Sequence, residues 1–396
     1  MSLNEKTSSE RVHIGFFGLR NAGKSSVVNA VTNQNLALVS EIKGTTTDPV
    51  QKAMEILPLG PVVIIDTPGL DDEGALGEMR VKKALQVINK TDVGVLVVDS
   101  TVGIQPKDNE IIGRLKEHNI PYIIVYNKCD LLSSLPASKD NEIYVSATNK
   151  TNINELRELI AKFARSEENT KKLIGDLLHP NDVVILVTPI DESAPKGRLI
   201  LPQQQVIRDI LDANAINLVV KETELEQAIL SLKSKPKMVI TDSQAFGVVN
   251  KIVPKDILLT SFSIIFARYK GDLKQLVNGA RTLDSLQDGD KVLISEGCTH
   301  HRQCGDIGTV KLPNWINKYC NKKLTFDFTS GGEFKEDLSK YKLVIHCGGC
   351  MLNEKEMKSR ISHSVSSNVP ITNYGTAIAH INGILERSLE PFKNQL

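Results

Sequence analysis

The stretch Gly18-Leu-Arg-Asn-Ala-Gly-Lys-Ser-Ser26 follows directly on the apolar run VHIGFF of residues 12–17, and that pairing decides the fold. A glycine, four residues, then Gly23-Lys24-Ser25 is the spacing of a phosphate-binding loop between a strand and a helix. Glycines let backbone N–H groups approach phosphate oxygens, and the helix start adds a favourable field. In that arrangement Lys24 reaches the β and γ phosphates and Ser25 ligates magnesium, while Asn21, Ala22 and Ser26 complete the cradle. The neighbouring pattern agrees. From Val12 to about Arg165 the short apolar runs VHIGFF, VVIID, VGVLVVD and YIIVY alternate with longer mixed stretches, as buried parallel strands with crossover helices do.

Three further elements fall at strand ends in the order a nucleotide site needs. DTPG closes VVIID, so that Asp66 holds magnesium through water and Gly69 offers its N–H to the γ-phosphate. Upstream, GTTTD supplies Thr45, Thr46 and Thr47, of which Thr46 is the choice for the residue sensing magnesium and γ-phosphate. YIIVY runs into Asn127, Lys128, Cys129 and Asp130. A carboxylate at Asp130 accepts from the N–H groups of guanine's Watson–Crick edge, where adenine presents a ring acceptor instead. Asn127 is expected on the other edge of the base, with Cys129 serving through its backbone. Ser146, Ala147 and Thr148 follow EIYV as a last base-contacting loop. Lys24, Thr46 and Gly69 are the expected catalytic groups.

Together these elements resemble the TrmE/Era-like branch of translation-factor-class GTPases over about the first 165 residues. The resemblance implies GTP and GDP as ligands with Mg2+. Leu70 stands after DTPG, where Ras-type enzymes place the glutamine that orients water, so slow intrinsic hydrolysis is expected. Asn21 matches the position at which potassium-stimulated members carry a potassium-ligating asparagine. That match implies K+ as a stabiliser of developing charge.

At 396 residues the chain is too long for one core, and two or three domains are expected. The expected class is α/β, a phosphate-loop GTPase domain followed by two smaller α/β domains with largely parallel sheets. The charged stretch Arg165 to Lys172 reads as a linker. Beyond it DVVILVTP, a helical LPQQQVIRDILDA, INLVV and KMVIT form a middle unit. From about Phe266, DKVLIS, KLTFDF and YKLVIH are strand candidates, with helices at DLKQLVNGA, EKEMKSRIS and TAIAHINGILERS. The expected division is residues 1–168, 176–264 and 265–396. A formal net charge of +1 shows no excess for neutralising many phosphates, which argues against nucleic acid as a partner. The absence of a long apolar run argues against a membrane, and the expected location is cytoplasmic.

Six cysteines are too few for a disulfide scaffold. Cys298 and His300 lie in EGCTHH, and His346, Cys347 and Cys350 in HCGGC, each just past a strand candidate. Both segments are therefore expected at the carboxyl edge of a parallel sheet, where open α/β sheets bind ligands. Cys347-Gly-Gly-Cys350 lets two thiolates wrap one metal centre and Cys298 supplies a third. Three thiolates leave one position open, for which His300, His346 and a carboxylate such as Glu296 are candidates. Cys304 and Cys320 are left outside the site as small buried side chains. A structural zinc and a Cys347/Cys350 dithiol remain open readings of the same pattern.

Cys-x-His followed at a distance by His-Cys-x-x-Cys, on a GTPase chain, is similar to the HydF family of [FeFe]-hydrogenase maturation GTPases. The interval between the two histidines, residues 301–345, is slightly shorter than that family's. The resemblance implies a [4Fe-4S] cluster and a middle dimerisation domain, hence a homodimer. It further implies that the chain carries a diiron precursor to apo-[FeFe]-hydrogenase, with two radical-SAM maturases as further partners. The competing expectation is an RNA-modification or ribosome-assembly GTPase with a structural zinc.

Overall fold

Val12–Phe17 (β1), Gly60–Asp66 (β3), Val93–Asp99 (β4) and Tyr122–Asn127 (β5) carry apolar side chains on both faces, as strands covered on both sides must. Their alternate residues separate into two cores. Ile14, Phe16, Val62, Ile64, Val95, Val97, Ile123 and Val125 face one, with the helices Lys24–Thr32 and Ile153–Arg165. Phe17, Val63, Ile65, Leu96, Val98 and Ile124 face the other, with the helix Pro106–Glu117. The period-two pattern thus makes a three-layer sandwich.

In this computed structural model the described residues are 8–33, 50–67, 86–165, 171–190, 199–297, 306–349 and 351–396. They form two compact units, Met1–Asn169 and Thr170–Leu396. The first holds a six-stranded sheet in the order β2-β3-β1-β4-β5-β6, where β2 is Val50–Ile56 and β6 is Glu142–Tyr144. All pairs are parallel except β2 with β3. The sequence reading lacks β2, because QKAMEI mixes polar and apolar residues and sits at a sheet edge.

The second unit holds two all-parallel four-stranded sheets. One has the order β10-β9-β7-β8, from Leu258–Ser261, Met238–Thr241, Val183–Val187 and Ile216–Val220. The other has the order β12-β11-β13-β14, from Thr325–Thr329, Lys291–Ser295, Leu343–His346 and Ile371–Asn373. Leu293 and Val344 join a core shared with the first of these sheets, while Val292, Ile294, Leu343 and Ile345 face a second core. The helix Phe262–Lys270 packs its buried face into the shared core.

The expected helix TAIAHINGILERS is two helices, Tyr374–Ile381 and Leu385–Leu389. Gly383, at φ +67°, ends the first in the left-handed conformation that glycine tolerates. The strands Leu258–Ser261 and Ile371–Asn373 are too short to stand out by periodicity. Among the described residues no helix is long and apolar enough to cross a membrane.

Candidate nucleotide site and candidate metal centre

β1 is followed by Gly18, whose φ is +150° and whose backbone passes so close to β4 that a Cβ would stand 2.4 Å from the Val97 carbonyl oxygen. Asn21 is exposed at φ +61°, and Gly23 adopts φ +81°. The Gly23 carbonyl accepts from Val27 N–H at 2.9 Å, which starts the helix Lys24–Thr32. That helix has no side-chain cap and no acidic residue in its first turn, so its N-terminal field is not offset locally. Its far end is held by Arg157, which donates to the Val31 and Ala30 carbonyls at 2.8 and 3.1 Å. Ser26 is half-buried in the first turn.

The buried Lys24 ammonium pairs with Asp66, and Ser25 Oγ donates to Asp66 Oδ2 at 3.3 Å. The phosphate-loop lysine, the hydroxyl and the carboxylate at the end of β3 therefore meet at one point. Thr67 is buried and donates to the Phe16 carbonyl at 2.7 Å, tying the start of the DTPG segment to β1. Thr45, Thr46, Thr47, Gly69 and Leu70 lie outside the described residues.

Asn127 joins two loops of the site. It is buried at the end of β5, its Nδ2 donates to the Ala22 carbonyl at 3.0 Å, and its Oδ1 accepts from Ala147 N–H at 3.1 Å. The side chain is a strut between the phosphate loop and the last loop. A Cβ at Gly23 would lie 2.2 Å from that same Nδ2, so glycine there makes room for the strut. Lys128, at φ +65°, donates to Asp99 Oδ2 at 2.5 Å, and Asp99 also accepts from Thr101 Oγ1 and N–H at 2.6 and 2.9 Å. Partial burial opposes ionisation of Asp99, but these bonds hold its carboxyl below the usual range. Asp99 was not foreseen; the signal for it is an acid closing an apolar strand with Thr101 two residues on, the pattern of an Asx turn.

Asp130 is exposed in the short turn Cys129–Leu131, open to a ligand. Cys129 is buried and acts through its backbone, donating to the Val145 carbonyl at 3.1 Å. Burial, then the Asp130 charge, pushes its thiol up. Ser146 is buried, with Oγ accepting from Asn149 N–H at 3.1 Å, and its backbone pairs with Thr151 to close the loop that presents Ala147.

In the second unit β11 and β13 pair in register from Val292 with Leu343 to Ser295 with His346, so Glu296 and Cys347 leave the sheet side by side. Cys347 N–H donates to the Ser295 carbonyl at 2.9 Å. Its sulfur accepts from Gly297 N–H at 3.1 Å and from Gly349 N–H at 3.4 Å. Two backbone donors on one sulfur favour a thiolate, the form that binds metal. Cys298, His300, Cys304 and Cys350 lie outside the described residues, and no group of three or more potential ligands gathers among the described ones. Glu296 is buried and accepts from the Tyr374 hydroxyl at 3.1 Å. Burial first, then the charges of Glu296 and Cys347, push the Tyr374 phenol up.

His346 as a metal ligand is corrected. The ring is fully buried, Nδ1 lies 2.9 Å from the Cys347 carbonyl oxygen, and Nε2 lies 2.9 Å from Arg360 Nη1. Both nitrogens are committed. The buried Arg360 guanidinium also donates to the Gly331 carbonyl at 2.8 Å and to Glu356 Oε1 at 2.9 Å, and stacks over Phe334. Lys270, buried at the end of its helix, donates to the Leu352 carbonyl at 2.9 Å. Neither cation was foreseen, because nothing in their local sequence points to the cysteine segments. Cys320 stays apart from this site, with its thiol donating to the Leu283 carbonyl at 3.2 Å.

Residues 13–128 match the family model described as 50S ribosome-binding GTPase. Residues 173–271 match the hydrogen maturase F dimerization domain and residues 274–391 the hydrogen maturase F tetramerization domain. The chain is 36% identical over 156 residues to the tRNA modification GTPase MnmE of Nitrosospira multiformis, covering 38% of this chain and 34% of that protein. It is 35% identical over 145 residues to the GTPase Der of Kosmotoga olearia, covering 34% of this chain and 33% of that protein. The chain thus spans about a third of the length of these curated relatives. Among solved structures it is similar to a probable GTP-binding protein engB, at 25% identity and a TM-score of 0.33, over 39% of this chain and 100% of that one. Era of Aquifex aeolicus is similar at 21% identity and a TM-score of 0.36, over 53% of this chain and 93% of that one.

Proposed function

Because the chain belongs to the HydF-type hydrogenase maturase GTPases, we propose that it couples GTP hydrolysis to carriage of an iron-sulfur centre. In this reading it holds a [4Fe-4S] cluster, accepts the diiron precursor assembled by two radical-SAM maturases, and delivers it to apo-[FeFe]-hydrogenase. The proposed division is a GTP-binding domain of residues 1–168, a dimerisation domain of 176–264 and a cluster domain of 265–396. A homodimer in the cytoplasm is the proposed working form. The tRNA modification in the name of one relative stays with that relative, which is matched over 38% of this chain.

The observation that carries the reading is the Cys347 sulfur, half-buried at the carboxyl edge of an all-parallel sheet with two backbone N–H groups turned on it. That donor fits a thiolate ligand of a cluster. Cys298 and Cys350 are proposed as the other two thiolates. His346 does not fit, which leaves His300, Glu296 or an exchangeable ligand for the fourth iron. When bound, the cluster supplies an iron with an open position for another metal unit. The chain's own residues hold the thiolates, exclude water from the His346 side and position the loop.

Anaerobic reconstitution with iron and sulfide, followed by reduction and EPR, tests the reading. A [4Fe-4S] signal that disappears in Cys298→Ala is expected, and a colourless, zinc-holding protein would overturn it. At the nucleotide site Lys24, Thr46 and Gly69 are the proposed groups on the γ-phosphate, with Ser25, Thr46 and Asp66 around Mg2+. Hydrolysis is proposed to be slow, for want of a glutamine at Leu70, and stimulated by K+ at Asn21. Turnover in potassium is expected to exceed that in sodium at equal ionic strength; equal rates, or stimulation surviving Asn21→Ala, count against it.

A further inference from the structure

Arginine only donates hydrogen bonds. Arg360 Nη1 faces His346 Nε2 at 2.9 Å, so Nε2 is the acceptor and the ring proton sits on Nδ1, 2.9 Å from the Cys347 carbonyl oxygen. The arginine is itself fixed on every side, by Gly331, Glu356, Ser295 at 3.5 Å and the ring of Phe334. A fork with this many fixed partners selects one tautomer of the histidine, and that tautomer selects one orientation of the Cys347 peptide. Cys347 N–H is meanwhile bound to the Ser295 carbonyl at 2.9 Å. With both peptide groups of Cys347 tied down, its sulfur stays where Gly297 and Gly349 point their N–H groups.

We infer that Arg360 is a positioning residue of the metal centre: through the Nδ1–H tautomer of His346 it fixes Cys347, and the pair governs how tightly iron is held and at what potential it is reduced. The inference rests on the proposed cluster at Cys347. Arg360 and His346 touch neither iron nor nucleotide in this scheme. Residues that orient a metal ligand change affinity typically 10- to 100-fold when replaced.

The test uses full-length wild type, Arg360→Lys, His346→Asn and His346→Leu. Lysine keeps the charge but is a point donor, unable to serve His346, Gly331 and Glu356 together. Asparagine places an amide nitrogen near the position of Nδ1 and can still reach the Cys347 carbonyl. In reconstituted protein, Arg360→Lys and His346→Leu are expected to release iron to a chelator roughly tenfold faster than wild type. Their midpoint potential in an EPR-monitored titration should shift, with the cluster-free Arg360→Lys protein still unfolding cooperatively on heating, less stable than wild type but folded. His346→Asn should hold iron nearer the wild-type rate. Before reconstitution, the 15N imidazole spectrum should show His346 as the Nδ1–H tautomer in wild type and lose that pattern in Arg360→Lys. Wild-type release and potential in Arg360→Lys, or an Nε2–H pattern for His346 in wild type, overturns the inference while the cluster reading stands. A wild type that takes up no iron brings down that reading instead, and the imidazole spectrum, read without metal, still decides the tautomer.

Discussion

Asn127 and His346 occupy equivalent places in two different sheets. Each is the last residue of a parallel strand, each is buried, and each has both polar ends engaged within the protein. The strut in the nucleotide unit is self-sufficient, because an amide carries a donor and an acceptor that fit Ala22 and Ala147 directly. The strut beside Cys347 depends on a third party, since an imidazole needs Arg360 to settle which nitrogen carries the proton. One strut stands on backbone alone; the other leans on a buried cation.

The sharpest way to break this contrast is to remove the cation. Arg360→Leu leaves Glu356, Gly331 and His346 without their donor in a buried setting, and is expected to destabilise the second unit by about 3–5 kcal/mol. Denaturant unfolding followed separately for the two units should show the first unchanged. Lys24→Ala is expected to weaken GTP and GDP binding at least about a hundredfold, roughly 3 kcal/mol, in calorimetry. Iron uptake should survive it, and loss of both together would mean that the two sites are not separable. Asn127→Ala removes two buried bonds at once and should cost about 1–3 kcal/mol of stability in the first unit, with nucleotide affinity falling alongside. A change confined to the choice of base would return Asn127 to the base edge.

The smallest effect concerns Asp99 and Lys128. Because the folded Asp99 carboxyl lies below its ordinary value of 3.8, the pair contributes stability above that pH and loses it as the pH falls through the folded value. The pair is partly exposed, so Asp99→Asn should cost only about 0.5 kcal/mol at pH 7. The difference from wild type should vanish once the pH falls below the folded value, in acid unfolding curves of the two proteins.

The central strands and the phosphate loop were legible because both follow short-range rules. VGVLVVD can only be a strand covered on both faces, and Gly18 and Gly23 stand where backbone must pass close to Val97 and Asn127. Asp66 and Lys24 were each placed at the nucleotide site from their motifs, and the fold brings them together. What escaped was long-range. Arg360 lies in the helix Glu354–Ser366, at an ordinary polar position as far as its neighbours in sequence tell, and only the fold brings it beneath β13. The same distance hid Asn127's backbone partners, which lie 105 residues before it and 20 after it. His346 was misjudged because a histidine beside two cysteines looks like a ligand until its neighbours are known.

Lys270 has a consequence for how the cysteine loop breathes. Its helix belongs to the shared core of the second unit, yet its ammonium ends on the carbonyl of Leu352, whose N–H in turn closes on Gly349 at 3.1 Å. Leu352 and Gly349 are therefore not separately fraying ends. Their amides should exchange with solvent only when the end of the helix lets go, placing them among the slow, subglobal openings of the unit rather than among its fast local ones.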